Sequence, residues 1–170
     1  FINKNGERFV REDGRRDEMS KAMIAQPDGL VYYIFSCEDP NEVYSLGKQT
    51  LQYYLDNNLY GYMIDTSLEG LAEQMGVPAD TLAKTVEEFN AHTKAGDVDE
   101  FGRTSWAETI EGPYYVAYQR KPAVHHTMGG VRIDTETHAL RADGSIIEGL
   151  YCAGEIVGGI HGGNRLGGNA

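Results

Sequence analysis

Apolar residues along this chain change their period several times, and each change marks an element. In residues 17–26 (DEMSKAMIAQ) acidic positions come first, and Met19, Ala22, Met23 and Ile24 follow at near-helical spacing. Pro27 closes the run, which predicts a short helix. Leu30 to Cys37 (LVYYIFSC) is rich in aromatic and β-branched residues and bounded by Asp28-Gly29 and Glu38-Asp39-Pro40, so it reads as a buried strand. A helix is expected from about Leu46 to Leu55, with Leu51, Tyr54 and Leu55 facing inward. Thr66 or Ser67 can cap a further helix in which Leu68, Leu71, Ala72 and Met75 recur at i, i+3, i+4 and i+7 before Gly76 ends it. Pro78 opens the next one, at a first turn where its missing N–H costs nothing. Leu82, Val86 and Phe89 mark that helix's buried stripe, and Gly96 follows its end. A link this short forces the two helices to pack as a pair.

Strand patterns occupy the chain's two ends. Phe1-Ile2 and Arg8 to Val10 read as strands around an Asn5-Gly6 turn. YYVAY from Tyr114, then VRID, HALRA and SIIEGLYCA follow later, with Asp143-Gly144 as a hairpin turn. The polar stretch from Asp97 to Gly112 reads as a loop anchored by Trp106. Eleven of the 21 glycines lie between Gly129 and Gly168, and glycine this dense among strands means backbone running close against something flat or charged. A boundary therefore falls near His126, separating an α+β unit from a glycine-rich β segment. The chain begins inside a strand and stops in mid-motif, so both ends read as cut.

Composition narrows the partners. Fifteen Lys and Arg stand against 26 Asp and Glu, a net charge of −11 that repels phosphate backbones and anionic membranes and makes nucleic acid an unfavourable partner. An anionic substrate must then be held by a few locally placed cations. Cys37 and Cys152 lie far apart in apolar or small-residue surroundings and read as two buried free thiols. No apolar run approaches the roughly 20 residues of a membrane span, and residues 1–11 lack the layout of a signal peptide. Compartment stays open.

Three islands concentrate the chemistry: GERFVREDGRRD from Gly6, HHTMGG from His125, and GLYCAGEIVGGIHGGNRLGGNA from Gly149. The third offers the Glu155 carboxylate to ligand hydroxyls and several bare glycine amides to ring oxygens. Arg165 beside permissive glycines suits a carboxylate through two parallel hydrogen bonds. Taken singly, each has an ordinary alternative. His125 and His126 can be two histidines at a strand end, Glu155 can cap a turn, and Arg165 can be a surface cation. His161 and Asn164 stand open between ligand contact and loop structure. Arg8, Arg11 and Arg15 read as structural or solvated, and Tyr53-Tyr54 as a helix face.

Together, in this order and spacing, the three islands resemble the FAD-dependent fumarate reductase and succinate dehydrogenase flavoprotein family, in its soluble branch with flavocytochrome fumarate reductases and urocanate reductases. The resemblance covers nearly the whole chain. It implies a capping domain inserted into an FAD-binding domain with the active site between them. Residues 1–125 would be the larger, C-terminal part of the capping domain, and 126–170 a partial return into the FAD-binding domain. No glycine fingerprint for a dinucleotide follows a first strand, so the N-terminal FAD-binding half of the enzyme is expected elsewhere. A haem- or FMN-carrying electron-donor domain is a further possible partner.

The same resemblance implies noncovalent FAD, held through His126, Thr127, Gly129, Gly154, Glu155, Asn164, Leu166, Gly167 and Asn169. The substrate would be a small unsaturated carboxylate. An isolated alkene resists hydride; one conjugated to a carboxylate accepts it when cations draw charge from that carboxylate, here His125 and Arg165 by family correspondence. Arg16 matches the family's proton donor. Arginine, with a pKa above about 12, is a poor acid in water, so a relay must reprotonate it. Arg15 is adjacent, and the Arg16-Asp17 pairing favours Arg16. Two rival readings are a flavin dehydrogenase or oxidase running the reverse way, on a ketosteroid or succinate-like substrate, and a capping module inactive by itself.

Overall fold

The computed structural model describes residues 1–44, 49–124 and 126–163. The chain divides into two compact units, Phe1–Pro122 and Ala123–Ala170. The first is built on a four-stranded antiparallel sheet in the order β1 (Ile2–Asn3), β2 (Val31–Cys37), β4 (Tyr114–Arg120), β3 (Tyr62–Asp65). Its helices are α1 (Arg16–Ile24), α2 (Leu51–Asp56), α3 (Leu68–Met75) and α4 (Ala79–Ala95).

Alternation along β2 decides which face is core. Tyr32 and Ile34 point to the side where Leu71, Ala72 and Met75 of α3 and Leu82 and Val86 of α4 close over the sheet, joined by Ile2, Val77 and Ala117. Leu71 and Leu82 are wholly buried. Tyr32 carries a hydroxyl into this core and satisfies it by donating to the Met75 carbonyl at 3.0 Å, since an unpaired buried hydroxyl would be costly. The α3–α4 pair forms as its pattern predicts. Ser67 accepts from the Gly70 amide as N-cap, and Gly76 and Gly96 end the two helices in the left-handed conformation.

Several expectations need correction. Arg8 to Val10 is irregular chain, because side-chain ion pairs and not a strand partner hold it. Ile24 of α1 is 66% exposed and Met23 is the helix's one buried residue, so the expected apolar stripe is only one residue wide. Helix α2 starts at Leu51, with Thr50 capping it, and of its stripe only Leu51 is buried; residues 45–48 lie outside the described residues. β3 was not anticipated: Asn58, Tyr60 and Gly61 carry positive φ immediately before it, and their turn chemistry masks a four-residue strand. VRID makes only isolated bridges, Val131 to Val157 and Ile133 to Ala139. The second unit's regular strands are β5 (His138–Leu140) and β6 (Ile146–Tyr151). Both cysteines are free but only half-buried.

The loop after α4 is fastened twice. Trp106 donates to the Asp97 carbonyl at 2.7 Å, stacks on His92 and meets Phe89 edge-on. Farther along, the segment before α1 grips it through two acids. Asp13 accepts from Arg11 and from the amides of Thr104 and Ser105. Glu12 accepts from Arg8 at 3.0 and 2.8 Å and from Arg103 at 2.8 Å. Burial alone would raise the Glu12 carboxyl; the Arg8 hydrogen bonds, the Phe1 ammonium and the Arg8 charge outweigh it and hold it at about 2 instead of 4.5. Asp13 is likewise held at about 2 instead of 3.8, its partial burial overcome by Arg11 and the two amides.

Both acids are lowered in the folded state, so the unfolded chain binds more protons in acid. Their stabilisation is complete above about pH 5.5 and drains away as pH falls from the unfolded values of 4.5 and 3.8 towards 2. Glu12 alone accounts for on the order of 3 kcal/mol. Urea midpoints measured on the chain should fall across this window, and the fall should shrink in Glu12→Gln. A wild-type midpoint that stays level through it contradicts the assignment.

Candidate functional site

In the second unit the HHTMGG and GLYCAGEIVGG islands are stitched together backbone against backbone. The Val131 amide donates to the Ile156 carbonyl at 2.8 Å, and the Gly159 amide approaches the Met128 carbonyl at 3.4 Å. At the crossing lie Gly130 and Gly158. A Cβ on Gly158 would fall 2.7 Å from the Gly129 carbonyl carbon and 2.9 Å from the Gly130 Cα. One on Gly130 would collide with the Ile156 oxygen and the Gly158 nitrogen. Glycine is required at both positions because no side-chain rotation relieves a backbone collision.

This crossing brings His126 beside Glu155. The imidazole is buried, with 8% of its side chain exposed, and its Nδ1 lies 3.1 Å from Glu155 Oε1. The alignment is nevertheless not that of a hydrogen bond, and Nδ1 has no hydrogen-bond partner among the described residues. Distance and angle thus disagree. The angle decides the matter, because a contact this far off axis leaves the nitrogen's directional capacity unused. A buried nitrogen left this way costs free energy until a third group meets it. The Glu155 side chain is more than half exposed, and the His161 ring meets His126 edge-on at 5.4 Å. Thr127, Gly129 and Gly154 are exposed on the same two segments. A strip of bare backbone, one unsatisfied imidazole and one open carboxylate suit a ligand bearing both hydroxyls and a polar ring edge.

In the first unit Arg16 is the first residue of α1. Asp17 does not pair with it. The Asp17 carboxylate takes both Arg15 hydrogen bonds, at 3.1 and 3.2 Å, and Glu18 lies 3.9 Å from the same guanidinium. Arg15 precedes the helix and reaches forward over its first turn, so the expected Arg16-Asp17 pairing is replaced by Arg15-Asp17. Arg16 is exposed and has no hydrogen bond or ion pair among the described residues. A cavity of about 410 Å³ in this unit is lined in part by Arg8, Glu12, Phe89 and Arg103, and both guanidiniums donate to Glu12.

His125, Asn164, Arg165, Leu166, Gly167 and Asn169 lie outside the described residues. Among those described, Gly130 and Gly158 were not singled out from sequence, although the doubled glycines at 129–130 and 158–159 carried the signal. The Glu12–Arg103 linkage was hidden by a separation of 91 residues.

The chain is 42% identical to the NADH:acrylate oxidoreductase of Vibrio harveyi over all its length while spanning 17% of that protein. It is 39% identical to the urocanate reductase of Eggerthella lenta, with 98% of this chain and 27% of the relative covered. Among solved structures, an open-conformation flavocytochrome c3 fumarate reductase superposes with a TM-score of 0.71 at 37% identity, covering 99% of this chain and 29% of the other. The chain therefore spans less than a third of each of these proteins. The FAD binding domain profile matches residues 1–170. With that match running its whole length, the chain belongs to the FAD binding domain family, whose cofactor is FAD.

Proposed function

We propose that this chain is the C-terminal part of a flavin-dependent enzyme that reduces a C=C bond conjugated to a carboxylate. Residues 1–125 supply most of a capping domain, and residues 126–170 return into the FAD-binding domain. The observation that carries the reading is the Gly130–Gly158 crossing with His126 and Glu155 beside it, in a chain whose relatives include acrylate and urocanate reductases.

Glu155 would accept from ribityl hydroxyls, and His126, Thr127, Gly129 and Gly154 would offer amides or Nδ1 to the cofactor, with Asn164, Leu166, Gly167 and Asn169 extending the same contact. Bound FAD, when reduced, supplies hydride to the carbon β to the substrate carboxylate. His125 and Arg165 hold that carboxylate and draw off the charge that builds on it, each bond lowering the barrier by a few kcal/mol. Arg16 delivers a proton to the adjacent carbon, which balances the addition across the double bond. Its lack of any competing partner among the described residues supports this role over Arg15. The remainder of the enzyme, and any haem or FMN domain passing electrons to it, lie outside this sequence.

The test uses the full-length protein. Purified, it should be yellow with FAD; after anaerobic reduction, fumarate, acrylate or urocanate should restore the oxidised flavin spectrum. A flavin-loaded enzyme that none of the three reoxidises would overturn the reading.

A further inference from the structure

Helix α1 has little to hold it in place. Arg15 supplies no side-chain cap, Met23 is its one buried residue, and the chain from Glu7 to Arg15 belongs to no helix or strand. Proton transfer needs a donor within about 2.6–3.2 Å of its acceptor, so something outside the helix must fix where Arg16 starts. Four residues earlier the chain is anchored firmly. Glu12, with 11% of its side chain exposed, is the junction of a buried box. Arg8 binds it through two hydrogen bonds, and Arg103 binds the same Oε2. Arg8 also reaches Asp99 at 2.7 Å, whose side chain is wholly buried and whose other oxygen takes the Phe101 and Arg103 amides. Aromatic faces pack the guanidiniums, Arg8 against Phe101 at 5.0 Å and Arg103 against Trp106 at 4.7 Å.

We infer that Glu12 is a positioning residue for Arg16: it ties the entry of α1 to the Arg8–Asp99–Arg103 box and so fixes where the Arg16 guanidinium is presented. This rests on the reading of Arg16 as proton donor. Four residues span at most about 14 Å, so loosening the anchor frees Arg16 by ångströms, and a misplacement of about 1 Å can cost on the order of 10²-fold in rate.

The experiment compares Glu12→Gln, Arg103→Gln and Arg16→Ala in the full-length, FAD-loaded enzyme, with whichever of fumarate, acrylate or urocanate the wild type reduces. Glu12→Gln should lower kcat about 10- to 100-fold with KM nearly constant, and should raise the solvent deuterium isotope effect as protonation becomes limiting. Arg103→Gln, which leaves both Arg8 bonds to Glu12 intact, should show a smaller change of the same kind and serves if Glu12→Gln fails to fold. The positioning role is overturned if the folded variants keep wild-type kcat and isotope effect while Arg16→Ala is inactive. It is equally overturned if their loss of kcat merely tracks lost FAD. Normal turnover by Arg16→Ala removes the proton-donor reading, and this inference with it.

Discussion

Gly130→Ala in the full-length enzyme is expected to yield a protein that purifies nearly colourless. The added methyl meets two backbone groups of the opposing segment, the Ile156 carbonyl and the Gly158 amide. Neither can rotate away, so relief requires separating the strips that place His126 beside Glu155. Overpacking against adaptable side chains costs roughly 1–3 kcal/mol, and a rigid backbone collision belongs at or above the top of that range. At about 1.4 kcal/mol per tenfold, FAD affinity should fall by on the order of 10²-fold. Gly158→Ala should behave alike, because its own Cβ meets the same crossing from the other side. Gly163→Ala is the control: a Cβ there meets nothing within 4 Å, and flavin should be retained. The measurement is the flavin-to-protein ratio, with circular dichroism confirming that the α3–α4 unit is intact. Full flavin occupancy in Gly130→Ala would show that the crossing does not shape the cofactor site.

This expectation draws on a feature the sequence displayed without explaining. Doubled glycines between strands announce a close approach, but not what approaches; in this fold each strip is the other's near neighbour. Elements with a strong local signal were legible for the same reason that they are stable. The stripe Leu68, Leu71, Ala72, Met75 and the caps Ser67 and Gly76 all favour one helix, so nothing distant was needed to specify it. Features set by long-range pairing were not legible. β3 exists because β4 supplies partners for Tyr62 to Asp65, and Arg8 is buried because Asp99 and Glu12 neutralise it. The Arg16-Asp17 pairing failed through local geometry: adjacent residues at a helix start diverge by about 100° around the axis, whereas Arg15, still in extended backbone, can fold over Asp17.

Arg16→Ala in the full-length enzyme should retain FAD and bind enoate with KM little changed, yet lose about 10²- to 10⁴-fold in kcat, the range of a positioned proton donor. Arg15→Ala should stay within a few-fold of wild type, since its guanidinium is already committed to Asp17 and Glu18. Arg16→Lys discriminates further. Lysine's pKa of about 10.4 makes it the better acid, but its single ammonium lacks the planar fork and reach of a guanidinium. Partial activity with an alkaline limb that wild type lacks would identify the group at this position as the one that protonates substrate, because an arginine does not titrate in that range. The opposite pattern, an inactive Arg15→Ala beside a competent Arg16→Ala, would move the proton donor by one residue. It would also require the Arg15 ion pairs to break before each turnover, at a cost visible as faster catalysis in Asp17→Asn.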